Sequence, residues 1–112
     1  MKTQLNTITR VPLTSPTGAW FDVSKAEKFR DESFWDGRNW VSLATNSSTE
    51  SQNLYKTASG KYILHSTSRW QGVTDKYILL SCDEAAEWFA KQDFPFERIP
   101  EELHVLISKL EV

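Results

Sequence analysis

One cysteine, Cys82, and two histidines, His65 and His104, are all the cysteine and histidine among the 112 residues. A lone cysteine closes no internal disulfide, and three such ligands fall short of the four that a structural zinc site takes. A carboxylate-built metal site stays open on this count, although no spacing points to one. Glycine is scarce, with four in all. The glycine-rich phosphate loops are absent, as are H-E-x-x-H, G-x-S-x-G and the kinase signatures, which removes several common enzyme classes. No window approaches the run of about 18 apolar residues that a membrane helix needs. Residues 1–12 lack the basic start and apolar block of a signal peptide. The expectation is a cytoplasmic protein of one domain, residues 1–112, with no membrane association, no cofactor and no metal.

Aromatic residues are plentiful by contrast: five Trp, three Tyr and six Phe. They carry a large share of burial in both cores and interfaces, so some of them are candidates for meeting a partner. Charge is unevenly spread. The net value is −2, yet residues 54–80 carry Lys56, Lys61, Arg69 and Lys76 against Asp75 alone, while residues 81–112 carry eight acids against three bases. A basic strand region beside an acidic helical tail is the main polarity of the chain. The acidic tail reads first as a solvated outer face over a packed stripe, and second as a lure for a basic partner.

Along the chain, residues 5–11 suggest a first strand ended by Pro12. T-S-P-T-G at 14–18 is a loop by composition. Ser24 and Glu27 fit a capping box, which predicts a short helix over 25–32 with Ala26, Phe29 and Phe34 on its apolar stripe. Asp36-Gly37 is a strong type I′ hairpin signal and predicts Phe34-Trp35 pairing back on 38–45. Residues 46–53, rich in Ser, Thr and Asn, read as a mobile loop. Strands then follow over 54–57, 61–67 and 73–80, an antiparallel meander. Ser81 and Glu84 form a second capping box, opening a helix to about Gln92 with Ala85, Trp88 and Phe89 on one face. Pro100 suits the start of a last helix carrying Leu103, Leu106, Ile107 and Leu110. The fold class is α+β: an antiparallel meander sheet packed by two or three helices, with a helical C-terminal tail.

Four surfaces are worth weighing. Period-two alternation sets Tyr62 and Leu64 on one face of the meander and Ile63, His65 and Arg69 on the other, with Tyr77 in the next strand. Tyr55, Tyr62, Trp70 and Tyr77 interleaved with Lys and Arg have the composition of a single-stranded nucleic-acid platform, in which rings stack bases and cations hold phosphate. Tyr and Lys are also common on ordinary half-exposed strands. In W-D-G-R-N-W at 35–40, a two-residue turn makes Trp35 and Arg38 neighbours, with Arg38 flat on the indole and Trp40 in the core. A stabilised hairpin is the plainer account, an exposed Trp-Arg anchor the functional one. S-R-W-Q-G at 68–72 joins two strands, and Trp70 with Gln71 either projects or folds back to plug the sheet end; plugging is favoured, since an exposed Trp needs a reason. Finally, Cys82 at a helix start with His65 or His104 as base, or His65 with Arg69 and a carboxylate, sketches a small hydrolase or nuclease, but Cys82 reads better as a small structural residue.

The segments G-A-W-F-D at 18–22, K-A-E-K-F at 25–29, S-L-A-T at 42–45, L-Y-K-T-A-S-G-K at 54–61, S-R-W-Q-G and E-A-A-E-W-F at 84–89 resemble a group of small uncharacterised bacterial proteins of similar length. The resemblance implies no activity and no site residue. Its suspected link to toxin–antitoxin or mobile-element neighbourhoods suggests an antitoxin-like role. The reading that results is a non-catalytic protein-interaction or regulatory module. Its partner is a protein, self-association included, and its binding residues are drawn from Trp35, Arg38, Trp40, Tyr62, Arg69, Trp70, Gln71 and Tyr77. The alternative is a single-stranded nucleic-acid binder.

Overall fold

A computed structural model describes residues 9–112, so part of the strand expected over 5–11 lies outside the described residues. The remainder is a short strand β1 (Arg10–Pro12), paired antiparallel with β2 (Trp20–Asp22). The central sheet has four antiparallel strands in the order β3, β6, β7, β8: β3 (Glu27–Phe29), β6 (Glu50–Lys56), β7 (Tyr62–Ser68) and β8 (Lys76–Leu80). The hairpin of β4 (Ser33–Trp35) and β5 (Trp40–Ser42) forms a third small sheet. Two α-helices follow, α1 (Cys82–Lys91) and α2 (His104–Ser108), with 3-10 turns between them. The α+β class and the consecutive antiparallel meander β6-β7-β8 are as expected. No helix among the described residues is long and apolar enough to cross a membrane.

Both faces of the central sheet are covered, as its two-sided apolar pattern requires. On one face Phe29, Leu54 and Tyr62 meet Trp88, Phe89 and Leu103 from the helical part. On the other, Tyr55 and Ile63 meet Leu13 and Phe21 from the β1–β2 hairpin, with Tyr77 packed alongside. The hairpin is held there by main-chain bonds along the β8 edge, Thr14 N to Tyr77 O at 2.7 Å and Leu79 N to Ser15 O at 3.0 Å. Helix α1 opens with the expected capping box: the Ser81 hydroxyl accepts from Glu84 N, and the Glu84 carboxylate accepts from Ser81 N at 2.9 Å. Pro100 precedes a 3-10 turn, Glu101–Leu103, that leads into α2.

Three local expectations are overturned. Residues 25–32 are not a helix: Asp22 takes the Ser24 amide and hydroxyl, a single 3-10 turn Val23–Lys25 forms, and Glu27–Phe29 pairs with β6. Burying Phe29 at 2% exposure through sheet pairing outweighs a local cap of about 1 kcal/mol. Residues 50–53 belong to β6, and the preceding loop is pinned by its own hydroxyls, Ser47 Oγ to Thr49 Oγ1 at 3.1 Å and Thr45 Oγ1 to Glu50 O at 2.9 Å. The last strand starts only at Lys76.

Candidate functional site

The hairpin β4–β5 closes through four residues, 36–39, not two. Asp36 Oδ1 accepts from the amides of Arg38 and Asn39, each at 2.8 Å, and these bonds stabilise the wider loop. The same amides, Asn39 first and Arg38 second, hold the Asp36 carboxyl below its ordinary value. Gly37 supplies the φ of 102° that the loop needs. The consequence is a changed register: Trp35 stands opposite Trp40, and Arg38 sits in the loop. The two indoles meet edge to face, with centroids 5.6 Å apart, and both are largely in solvent, Trp35 at 55% and Trp40 at 61% exposure. Trp40 is therefore not a core residue.

Beneath the hairpin runs a groove between β4–β5, the 47–49 loop and the ends of β6 and β7. One recess of about 300 Å³ is lined by Asp31, Trp40, Ser42, Ser48, Glu50 and Arg69, among others. A second of about 280 Å³ is lined by Trp35, Arg38, Asn39, Trp40 and Arg69. Trp40 and Arg69 border both, so the recesses form one continuous surface. The Arg69 amide donates to Thr49 O at 2.8 Å, which fixes the position of that residue against the loop. Among the described residues neither Arg38 nor Arg69 has an ion-pair partner. The side-chain hydroxyls of Ser33 and Ser48 are likewise uncommitted. The groove thus offers two aromatic faces, two free guanidinium groups and open hydroxyls.

Asp31 holds this surface together. Its carboxylate accepts from Ser42 Oγ, from Gln52 N at 2.8 Å, from Gln92 Nε2 at 3.0 Å and from Ala44 N at 3.2 Å. Four donors fill the acceptor sites of this one carboxylate, so Asp31 is a positioning residue that ties β5, β6 and the end of α1 into one frame. Nothing in the sequence pointed to it. Its partners lie 11, 13, 21 and 61 positions away, beyond any local motif.

Of the residues singled out from the sequence, Trp35, Arg38, Trp40 and Arg69 converge on the groove. Trp70 and Gln71 lie in the turn just beyond Arg69; Trp70 is 63% exposed, so it does not plug the sheet, and it is not among the groove walls. The turn is closed by Trp70 N to Ser68 Oγ at 3.1 Å and by Gly72 at φ 86°. Tyr62 is removed from any surface role: it is 1% exposed, and its hydroxyl donates to Glu102 Oε2 at 2.6 Å. Burial first, and that bond second, push the Tyr62 phenol well up. Tyr77 packs in the second core and stacks on His65 at 4.3 Å, and Tyr55 is buried beside it. The sheet therefore presents no tyrosine platform, because the β1–β2 hairpin and the helices occupy both faces.

The histidines are engaged away from the groove. His65 Nε2 meets Asp75 Oδ2 at 3.0 Å, with Nδ1 buried and unpartnered. His104 Nε2 lies 2.9 Å from the carbonyls of Phe96 and Ile99. Cys82 is exposed at the first turn of α1, and neither imidazole hydrogen-bonds to it. No group of three or more His, Cys, Asp or Glu among the described residues is arranged to hold a metal ion. Compared with known proteins, the chain matches no family model, no curated protein and no solved structure.

Proposed function

We propose that this domain is a non-catalytic protein-interaction module, regulatory in role, whose binding surface is the groove bordered by Trp35, Arg38, Trp40 and Arg69. The observation that carries this reading is the pair of solvent-facing indoles 5.6 Å apart beside two arginines that have no ion-pair partner among the described residues, on a pinned frame. Trp and Arg are the side chains that most often dominate binding energy, and a rigid frame lowers the entropy lost on association. Contiguous exposed aromatic surface of this kind is uncommon without a partner. The guanidinium groups favour a partner segment that brings carboxylates alongside an apolar side chain.

The test is crosslinking of the tagged domain in cells, comparing wild type with a Trp40→Ala/Arg69→Glu double variant, followed by titration of the purified partner. A partner bound by wild type and lost in the double variant supports the reading. Equal retrieval by both sinks it. Sedimentation at rising concentration reads out a second copy of this chain as the partner. Fluorescent single-stranded DNA and RNA at low salt read out the nucleic-acid alternative, which now rests on the groove alone.

A further inference from the structure

A separate cavity lies at the opposite end of the β6–β7 hairpin from the groove. It is about 440 Å³, within the range of small-molecule sites, and its walls are Leu13, Ala19, Trp20, Phe21, Ile63 and Leu79. Trp20 and Leu79 remain 54% and 37% exposed, so apolar surface at this mouth is left without a cover among the described residues. The rim is polar, with Lys61 and Asp22 on it and Arg10 just outside. Lys61 lines it and has no ion-pair partner among the described residues, while the Arg10 guanidinium lies over the Trp20 ring at 4.5 Å. The one rim carboxylate, Asp22, already accepts from the Ser24 amide at 3.0 Å and the Ser24 hydroxyl at 2.6 Å. Thr57 and Ser59 hydrogen-bond to each other at 3.1 Å, and Thr57 Oγ1 also accepts from Lys61 N at 3.0 Å. The cation on the rim without a partner among the described residues is thus Lys61, beside an apolar wall.

We propose that this cavity binds an amphipathic monocarboxylate, with its hydrocarbon body against Leu13, Phe21, Ile63 and Leu79 and its carboxylate on Lys61. The occupant follows from the arrangement. The walls are hydrocarbon and aromatic, which selects an apolar body, and Lys61 on the rim with Arg10 just outside it, against the single Asp22 carboxylate, leaves a net positive charge that selects an anionic head. The Trp20 ring, flanked by Arg10, closes one side of the entrance. This site is independent of the groove and does not rest on the function proposed for it.

The experiment is isothermal titration of the full chain with decanoate, with decanol and with acetate as probes, each below its aggregation limit. Decanoate is expected to bind at one site per chain, at least tenfold more tightly than decanol, with no binding of acetate. Lys61→Met is expected to weaken decanoate roughly tenfold and leave decanol unchanged, the loss of one charge-assisted contact. Lys61→Arg restores most of it. Leu79→Glu, which places a carboxylate at the mouth, is expected to abolish decanoate binding, and Trp40→Ala in the distant groove is expected to leave it unaltered. Circular dichroism confirms that each variant is folded. No saturable binding of decanoate, decanol binding equal to decanoate, or indifference to both Lys61→Met and Leu79→Glu in folded protein overturns the proposal.

Discussion

Replacing Asp31 by Asn removes a charge and two lone pairs while keeping the shape of the side chain. Each carboxylate oxygen faces two donors: Oδ1 meets Ala44 N and Gln92 Nε2, and Oδ2 meets Ser42 Oγ and Gln52 N. Whichever oxygen becomes an amide nitrogen, donors are set against donors. On the Oδ2 side the Ser42 hydroxyl can rotate, but Gln52 N loses its acceptor. On the Oδ1 side Ala44 N keeps Ser42 Oγ at 3.1 Å, but Gln92 cannot simply flip its amide, because its Oε1 already accepts from Glu32 N at 2.8 Å. One donor is stranded in either rotamer, and a partly buried stranded donor together with the lost charge assistance costs about 2–3 kcal/mol. For a domain of this size that is a fall in Tm of roughly 10–15 °C. Urea unfolding monitored by tryptophan fluorescence reads it directly, with an unchanged m-value expected, since the surface exposed on unfolding stays the same. A stability within about 0.5 kcal/mol of wild type would refute the assignment of Asp31 as the frame of the groove.

Other outcomes follow from the same structure. The Glu102 carboxyl is held down to about 2 by its 2.8 Å bond to Lys56 and by the Tyr62 hydroxyl, against an ordinary value of 4.5. A depressed folded value means stability that is present above about pH 5 and lost as pH falls toward 2; because Glu102 is half exposed we expect only about 1 kcal/mol from it, and Glu102→Gln should flatten urea midpoints over that window. Ser81→Ala removes one arm of the α1 capping box and should cost about 1 kcal/mol by thermal unfolding, with no effect on partner binding. Arg69→Glu, at an exposed position, should leave stability within about 0.5 kcal/mol of wild type, so that any binding loss is separable from unfolding. Phe29→Ala, by contrast, opens the helix-side core and should destabilise by about 3–5 kcal/mol.

What could be read in the sequence was what short-range physics decides. The Ser81–Glu84 cap forms because both partners lie within one helical turn and the apolar face that follows has a core to meet. The meander was visible because residues 61–67 and 76–80 carry apolar side chains on both alternating faces, which matches a sheet covered on both sides. The same capping pattern at Ser24–Glu27 misled, since Phe29 gains more by pairing in β3 opposite Leu54 than a single helical turn returns. Asp36-Gly37 misled for a related reason: the Asp36 side chain, by accepting two amides, stabilises a four-residue loop and moves Trp40 opposite Trp35. The groove was half legible. Its tryptophans and arginines stood out by type, whereas Asp31, Ser42 and the 47–49 loop acquire their role only through contacts made across the fold.

The binding role of the groove is tested most directly by the affinity of the crosslinked and purified partner for wild type and for the Trp40→Ala/Arg69→Glu double variant, at matched stability. Two hot-spot side chains predict a loss of about 100-fold or more in Kd. A double variant that binds within threefold of wild type would contradict the account.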